Sequence, residues 1–365
     1  MLADHFARRI SASVSGQAVL THPELLAYLV GFVAPCEDWP VANPLAPVGA
    51  ALVIGDKPVL VLADMYEHWI TPSGPEVLTY LAYDPVQRPD PVREFEASLA
   101  KAIDRAGLRA GDVSVDTTLP AFVSPLLTQR GLHPVAAEVE PVVDDELAQS
   151  VAAAARLADV AQTVIAELVE PGRSEAELAG LALAAISGAA GRRVPAILTV
   201  TTGPPSGSRP GPATARAVEA GDLVLCDVAP WTEGAWADAA TTVCAGRPTP
   251  RQRRLFDAVR AALDVAIGLC VPGAIAHEID SAVRESLASA GPPYSHHTGH
   301  GLGARWWQEP LITPYSETRL EEGNLLAVEP ALYDPEVGGV RLEVTLRVRA
   351  GGNELLTTYE HRLTT

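Results

Sequence analysis

The sequence predicts an α+β protein: a small α/β domain over about residues 1–140, then a larger domain over 145–365 in which one motif occurs twice about a pseudo-twofold axis. Three observations carry this. In the first part, short apolar runs bounded by turn residues alternate with a helical period. Near residue 145 a long alanine-rich helical stretch begins. From there the order helix, Pro-Gly, helix, acid-bearing hairpin runs through twice, about a hundred residues apart.

Ala18-Val19-Leu20 and Ala50-Ala51-Leu52-Val53-Ile54 read as strands. The second turns through Gly55-Asp56-Lys57-Pro58 into Val59-Leu60-Val61-Leu62, a hairpin. Val92 to Ala106 has the period of an amphipathic helix and stops at Gly107. Val113-Ser114-Val115 is a further strand. The domain boundary falls between Val139 and Asp145. A helix over about Asp145 to Leu168 ends before Pro171-Gly172. Ser174 with Glu177 has the spacing of a capping box for the next helix, which ends near Gly188. The second copy starts with a helix over Arg251 to Leu269, ended by Pro272-Gly273. Glu278-Ile279 in the following helix matches Glu177-Leu178 at an offset of 101 residues. Each copy then has a strand ending in an acid, Asp227 after Gly221 and Glu329 after Gly323. A turn-rich stretch and a second acid follow, Asp238 in one and Glu343 in the other.

The chain has 365 residues, 48% hydrophobic and 20% charged, an ordinary globular composition with room for two cores. With 45 acids against 27 bases its formal charge is −18, which argues against nucleic acid or an anionic membrane as partner. No run of 18 apolar residues occurs, so no membrane span is expected, and the start lacks the apolar core of a signal peptide. Cys36, Cys226, Cys244 and Cys270 form no Cys-x-x-Cys pair and read as buried free thiols in a reducing compartment. A cytoplasmic protein is expected.

The chemistry lies in the hairpins. Two carboxylates directly paired across a hairpin hold their Cβ atoms about 5 Å apart and repel unless something positive sits between them. A lone Asp at a strand end is usually a turn or cap residue. Four acids at matched places in two related hairpins, with Gly299-His300-Gly301-Leu302-Gly303 between them, read as a metal site instead. Four carboxylates balance two divalent cations, and a neutral imidazole from His300 adds a fifth ligand without charge. Such a set favours manganese-like hard ions and admits cobalt, zinc or iron(II) once the imidazole joins. Two ions about 3.5–4 Å apart can polarise a carbonyl for hydrolysis of an amide or peptide.

These segments resemble the pita-bread metallopeptidases: methionine aminopeptidase, aminopeptidase P, prolidase and their non-peptidase relative creatinase. The matches are Leu225-Cys226-Asp227, Thr298-Gly299-His300-Gly301-Leu302-Gly303, Val328-Glu329-Pro330 and Gly339-Val340-Arg341-Leu342-Glu343. The resemblance covers about Asp145 to Thr365. It implies metal ligands Asp227, Asp238, His300, Glu329 and Glu343, with Asp238 and Glu343 bridging two ions. It makes Glu329 a proton shuttle and His296 a second catalytic residue. His296 and Arg341 fit the prolidase and creatinase branch, and residues 1–140 resemble that branch's smaller domain. A homodimer is implied by the same likeness. Arg341 and His297, the neighbour of His296, are candidates to bind substrate.

The pocket departs from the family. The peptidases keep a histidine about 17 or 18 residues before the first metal Asp, where this chain has Ser208-Arg209-Pro210. They keep another seven residues after the ligand histidine, where it has Trp307. The usual arginine three residues after the second Asp is Thr241. An indole cannot shuttle a proton but can stack on a flat or cationic group. Arg209 either pairs with a substrate carboxylate or points to solvent. Three readings follow. The first is a two-metal Xaa-Pro peptidase of the prolidase or aminopeptidase P type, with an atypical pocket. The second is a hydrolase or lyase of the same fold acting on a small non-peptide amide, as ectoine hydrolase does in kind. The third is a non-catalytic binding protein, against which the retention of five buried ligands argues.

Overall fold

The computed structural model describes residues 2–33, 46, 48–69, 74–136, 139–208, 211–291 and 294–364. Cys36 and Arg209 lie outside these residues. The chain divides into two compact units, Met1–Val142 and Val143–Thr365.

The first unit runs α1 (Leu2–Ser13), β1 (Ala18–Leu20), α2 (Pro23–Val30), β2 (Ala50–Ile54), β3 (Pro58–Ala63), β4 (Glu76–Tyr80), α3 (Pro91–Ala106), β5 (Gly111–Val115), α4 (Val123–Gln129) and β6 (Leu132–Ala136). Its strands form one sheet in the order β4-β3-β2-β1-β5-β6. The β2–β3 hairpin pairs Ile54 with Pro58, as the turn residues predict. Asp90 caps α3 through the Arg93 N–H, and Gly107 ends it in the left-handed conformation. The helices α1, α2 and α4 and the strands β4 and β6 carry no comparably strong sequence signal. The strands β4 and β6 are placed by pairing with β3 and β5, and α2 packs on β2, α1 on α2 and α4 on β6; β1, β2 and β3 are buried throughout apart from Pro58.

The second unit begins with α5 (Asp145–Leu168), α6 (Glu175–Ala190), β7 (Ala196–Thr202), β8 (Leu223–Thr232), β9 (Ala235–Trp236) and β10 (Ala239–Cys244). It continues with α7 (Pro250–Leu269), α8 (Ala276–Leu287), β11 (Gly299–Gly301), β12 (Gln308–Ile312), β13 (Leu325–Val328), β14 (Ala331–Asp334), β15 (Gly338–Arg341), β16 (Val344–Arg347) and β17 (Glu354–Leu355). Ser174 and Glu177 make the capping box of α6, and Thr249 and Gln252 make one for α7. The sheets are β10-β8-β7, with β9 paired to β8, then β12-β11-β13-β16-β17, and the β14–β15 hairpin. Val224, Cys226 and Val228 face a core with Ala158, Ala161, Ile165 and Leu178 of α5 and α6. Strand alternation therefore turns Asp227 to the opposite face. Leu326 and Val328 pack with Val259 and Leu263 of α7 in the same way, which turns Ala327 and then Glu329 away from the helices. Cys226, Cys244 and Cys270 are buried free thiols.

The duplication is visible in the backbone. Gly172 N–H bonds Val218 O at 2.9 Å, and Gly273 N–H bonds Leu320 O at 2.7 Å. Val218 N–H returns to Arg173 O, and Leu320 N–H returns to Ala274 O. The halves meet along β10 and the segment before β16. Thr242 Oγ1 donates to Arg341 O at 3.2 Å and accepts from Arg341 N at 3.1 Å. Thr345 Oγ1 donates to Asp238 O at 2.7 Å and accepts from Asp238 N at 3.1 Å. Between them Glu343 N–H bonds Ala240 O at 2.9 Å. This reciprocity makes Thr242 the counterpart of Thr345, and it corrects the matching of the second acids. The counterpart of Asp238 is Arg341, and that of Glu343 is Ala240. The hairpins differ in length, so counting residues from the first acid does not measure strand register.

Candidate metal centre

Asp227 pairs with Thr199 on one side and Ala240 on the other. Asp238, one residue before β10, is thus its diagonal rather than its direct neighbour across the hairpin. Glu329 follows β13 and Glu343 precedes β16. The ladder that pairs Val328 with Val344 sets these two directly opposite. His300 is the middle residue of β11, between β12 and β13. A Cβ on Gly299 would lie 2.4 Å from Ala327 O, and one on Gly301 would lie 2.4 Å from Glu309 O. Only glycine fits on either side of this histidine, which explains the Gly-His-Gly sequence physically.

The structure brings the five residues together. Asp238, His300, Glu329 and Glu343 are buried, and Asp227 nearly so. His300 Nε2 lies 3.7 Å from Asp238 Oδ2 and 3.9 Å from Glu329 Oε1. One ligand atom from each of Asp238, His300 and Glu343 lies within 4.8 Å of the others, and so does one from each of His297, His300 and Glu329. Both carboxylate oxygens of Glu343, and Oδ1 of Asp238, are buried with no hydrogen-bond donor. A buried carboxylate left so is costly unless a cation supplies the partner.

The electrostatics agree. Burial drives Asp227 up to about 7, with Arg341 pulling it down and Asp238 and Glu329 adding repulsion. Burial, reinforced by Asp238, Glu329 and Asp227, pushes Glu343 well above the carboxylate range. Burial also raises Glu329, but Arg341 and His297 outweigh it and hold this acid below its ordinary value. The centre is short of positive charge, and two divalent ions would fit it. Asp227, Asp238, His300, Glu329 and Glu343 are the residues that could hold them.

Arg341 and His296 are both at the site, but they are engaged with each other through Tyr333. Arg341 Nη1 contacts Asp227 Oδ2 and lies 3.3 Å from Glu329 Oε2. Its Nε and Nη2 donate to the Tyr333 hydroxyl at 3.2 and 2.8 Å. That hydroxyl donates to His296 Nε2 at 3.0 Å, and His296 Nδ1 donates to His297 O at 2.7 Å. The chain of donors sets the tautomer of His296. Burial, and then the charge of Arg341, push His296 down to about 4, so it is neutral at pH 7.

A cavity of about 420 Å³ opens over the centre, with His296, His297 and Trp307 in its wall. A second, of about 600 Å³, shares those three residues. Trp307 is half exposed, its ring 4.4 Å from that of His297 and 5.1 Å from that of His300. His297 Nε2 lies 2.5 Å from Glu329 Oε1 without hydrogen-bond alignment. The sequence reading missed four residues here. Tyr333 links Arg341 to His296. Trp306 Nε1 donates to Asp238 Oδ2 at 2.7 Å. Asp280 holds Arg284, which donates to Tyr294 O at 2.8 Å and His296 O at 2.6 Å and so fixes the histidine loop. The spacing of Asp280 and Arg284, one helical turn apart, was the only signal in sequence.

A sequence profile of metallopeptidase family M24 matches residues 149–350. The Xaa-Pro dipeptidase of Pyrococcus horikoshii is 32% identical over 215 residues, which is 58% of this chain and 60% of that protein. The chain thus spans about three-fifths of that relative's length. An uncharacterised peptidase of Bacillus subtilis, YqhT, is 28% identical over 316 residues, covering 85% of this chain and 87% of its own. Among solved structures, an Xaa-Pro dipeptidase from Bacillus anthracis superposes with a TM-score of 0.80 at 21% identity, over 100% of this chain and 98% of that one. The Pyrococcus horikoshii prolidase superposes with a TM-score of 0.78 at 22% identity, over 99% of each chain. At these identities the structural likeness is one of fold. The profile spans both copies of the motif and every one of the five clustered candidate ligands, and on that ground the chain belongs to metallopeptidase family M24.

Proposed function

We propose that residues 145–365 form a two-metal hydrolase centre that cleaves Xaa-Pro peptides, with residues 1–140 as a prolidase-like N-terminal domain. The observation that carries this is the set of buried, donorless carboxylate oxygens of Asp238 and Glu343 beside an open cavity. Asp227, Asp238, His300, Glu329 and Glu343 would hold two divalent ions. Manganese is the first candidate, and cobalt, zinc and iron(II) are the others. Such a pair supplies Lewis acidity toward a carbonyl and toward water.

The chain's own residues do the rest. Glu329, kept ionised chiefly by Arg341, would take a proton from attacking water and return it to the leaving nitrogen. Arg341 holds Asp227 and Glu329 in position. Tyr333 orients His296, whose two ring nitrogens are both engaged, so His296 shapes the wall and moves a proton only if the Tyr333 contact opens. The half-exposed indole of Trp307 offers a flat apolar face to a pyrrolidine ring. His297 borders the same cavity. A homodimer, by likeness to prolidase and creatinase, and a cytoplasmic location, from the free thiols, belong to the same proposal, and a monomer in light scattering would remove the homodimer from it.

The test is hydrolysis of Xaa-Pro dipeptides and tripeptides by the manganese-loaded protein against a chelated control. Metal-dependent cleavage is expected. Two metals bound per chain with no cleavage would reject the peptide substrate and leave a small non-peptide amide. Fewer than one metal per chain would reject the centre itself.

A further inference from the structure

We propose that His297 is a ligand to the metal on the His300–Glu329 side, giving that subsite two imidazoles while the Asp227 side is all oxygen. The inference rests on the two-metal reading above. Nε2 of His297 is buried without a hydrogen-bond partner, and it stands 2.5 Å from Glu329 Oε1, out of line for a bond between them. Two polar atoms this close and not bonded to each other face a common space, and a cation there satisfies both. His300 offers its nitrogen to the same space, all three ligand atoms lying within 4.8 Å of one another. Ligand atoms on one ion, with bonds of about 2.1 Å, are about 3 Å apart at right angles and about 4.2 Å apart across it, so Nε2 of His297 and Oε1 of Glu329 part by roughly half an ångström when they share an ion.

The imidazole is also held in place. The indole of Trp307 stands edge-on to it at 4.4 Å, and the rings of His300 and His296 lie at 5.3 and 5.8 Å. Its backbone carbonyl accepts from His296 Nδ1 at 2.7 Å. The residue before it is fixed by Arg284 through the carbonyl of His296. Packing of this kind on a ring with a donorless nitrogen is what a ligand needs, since a metal site requires its side chains oriented in advance.

The consequence is a centre with two unlike subsites. The nitrogen-rich side favours zinc, cobalt or iron(II), while the oxygen-only side keeps the preference for manganese.

The test uses the full chain stripped of metal, then loaded with one zinc per chain or titrated with manganese. Zinc X-ray absorption should show two imidazoles on the bound ion. His297→Asn should lower that count to one and weaken zinc binding at least about tenfold, a larger loss than for the first manganese ion bound, which takes the oxygen-only side. Fewer than two imidazoles in the unaltered chain, or unchanged zinc affinity in the variant, overturns the assignment. The spectrum of the unaltered chain does not depend on the variant folding, so it decides the question alone if the variant fails to fold. A protein that binds no metal overturns the two-metal reading together with this one. A protein that binds two metals with a single imidazole overturns only the role of His297.

Discussion

In the first half of the larger unit, Asp238 stands where Arg341 stands in the second, and Ala240 stands where Glu343 stands. The strand register extends the contrast: Thr201 pairs with Leu225 where His300 pairs with Ala327, the counterpart of Leu225. The backbones of the halves repeat each other down to individual hydrogen bonds, yet only Asp227 and Glu329 are matched acids. Positions 240 and 343 are backbone-bonded neighbours at the axis. A symmetric site would set two carboxylates against each other there, within a fully buried layer. Alanine on one side leaves room for glutamate on the other. The duplicated frame supplies convergence of the strands, and departures from symmetry supply the charge pattern that two cations can balance.

Restoring the symmetry should do the most damage. Ala240→Glu places a further carboxylate at the axis, where Ala240 is 0% exposed. Urea unfolding of the metal-free protein should show a loss of about 3–5 kcal/mol, the cost of a buried charge without a partner. A loss below about 1 kcal/mol would mean the axis tolerates matched acids. Next comes the pair of acids that does match. Glu329→Gln should cut turnover by at least about 100-fold with the fold intact, because of the two matched acids only Glu329 is held below its ordinary value, chiefly by Arg341. Unchanged turnover would reject its place as proton carrier.

A smaller effect concerns how the first half's second acid is held. Trp306→Phe keeps the ring but removes the N–H that Asp238 Oδ2 accepts. Metal affinity by calorimetry should fall by about 10–100-fold, and equal affinity would leave the indole with packing alone. The smallest effect tests the twofold itself. Thr242→Val and Thr345→Val each remove one hydroxyl that bridges the halves. Each should cost about 1–3 kcal/mol, with the two values close to each other. A wide difference between them would show that equivalent bonds sit in unequal surroundings.

Long elements were legible because local signals agree over many residues. The helix over Asp145–Leu168 shows this, as does the Ser174–Glu177 capping box. The β7 strand, Ala196–Thr202, was not read from the sequence, since its run of threonines has no clear alternation and it is held by pairing with β8. At the site the ligand types and their order were readable, because a metal demands carboxylates and imidazole whatever the fold. Tyr333 and Trp306 were not, because each acts through hydrogen bonds that only the fold brings about, Tyr333 to His296 and Arg341 and Trp306 to Asp238.

The sequence by itself determined that two copies of a helix–helix–hairpin motif exist and that five metal-type ligands lie on them, since periodicity, Pro-Gly stops and residue chemistry are local properties. Only the tertiary structure decided that Asp238 corresponds to Arg341 rather than to Glu343, that Arg341 is spent on Asp227, Glu329 and Tyr333, and that His297 faces Glu329. Those facts depend on strand register and on which side chains meet across the axis, and spacing along one chain does not encode a distance between two.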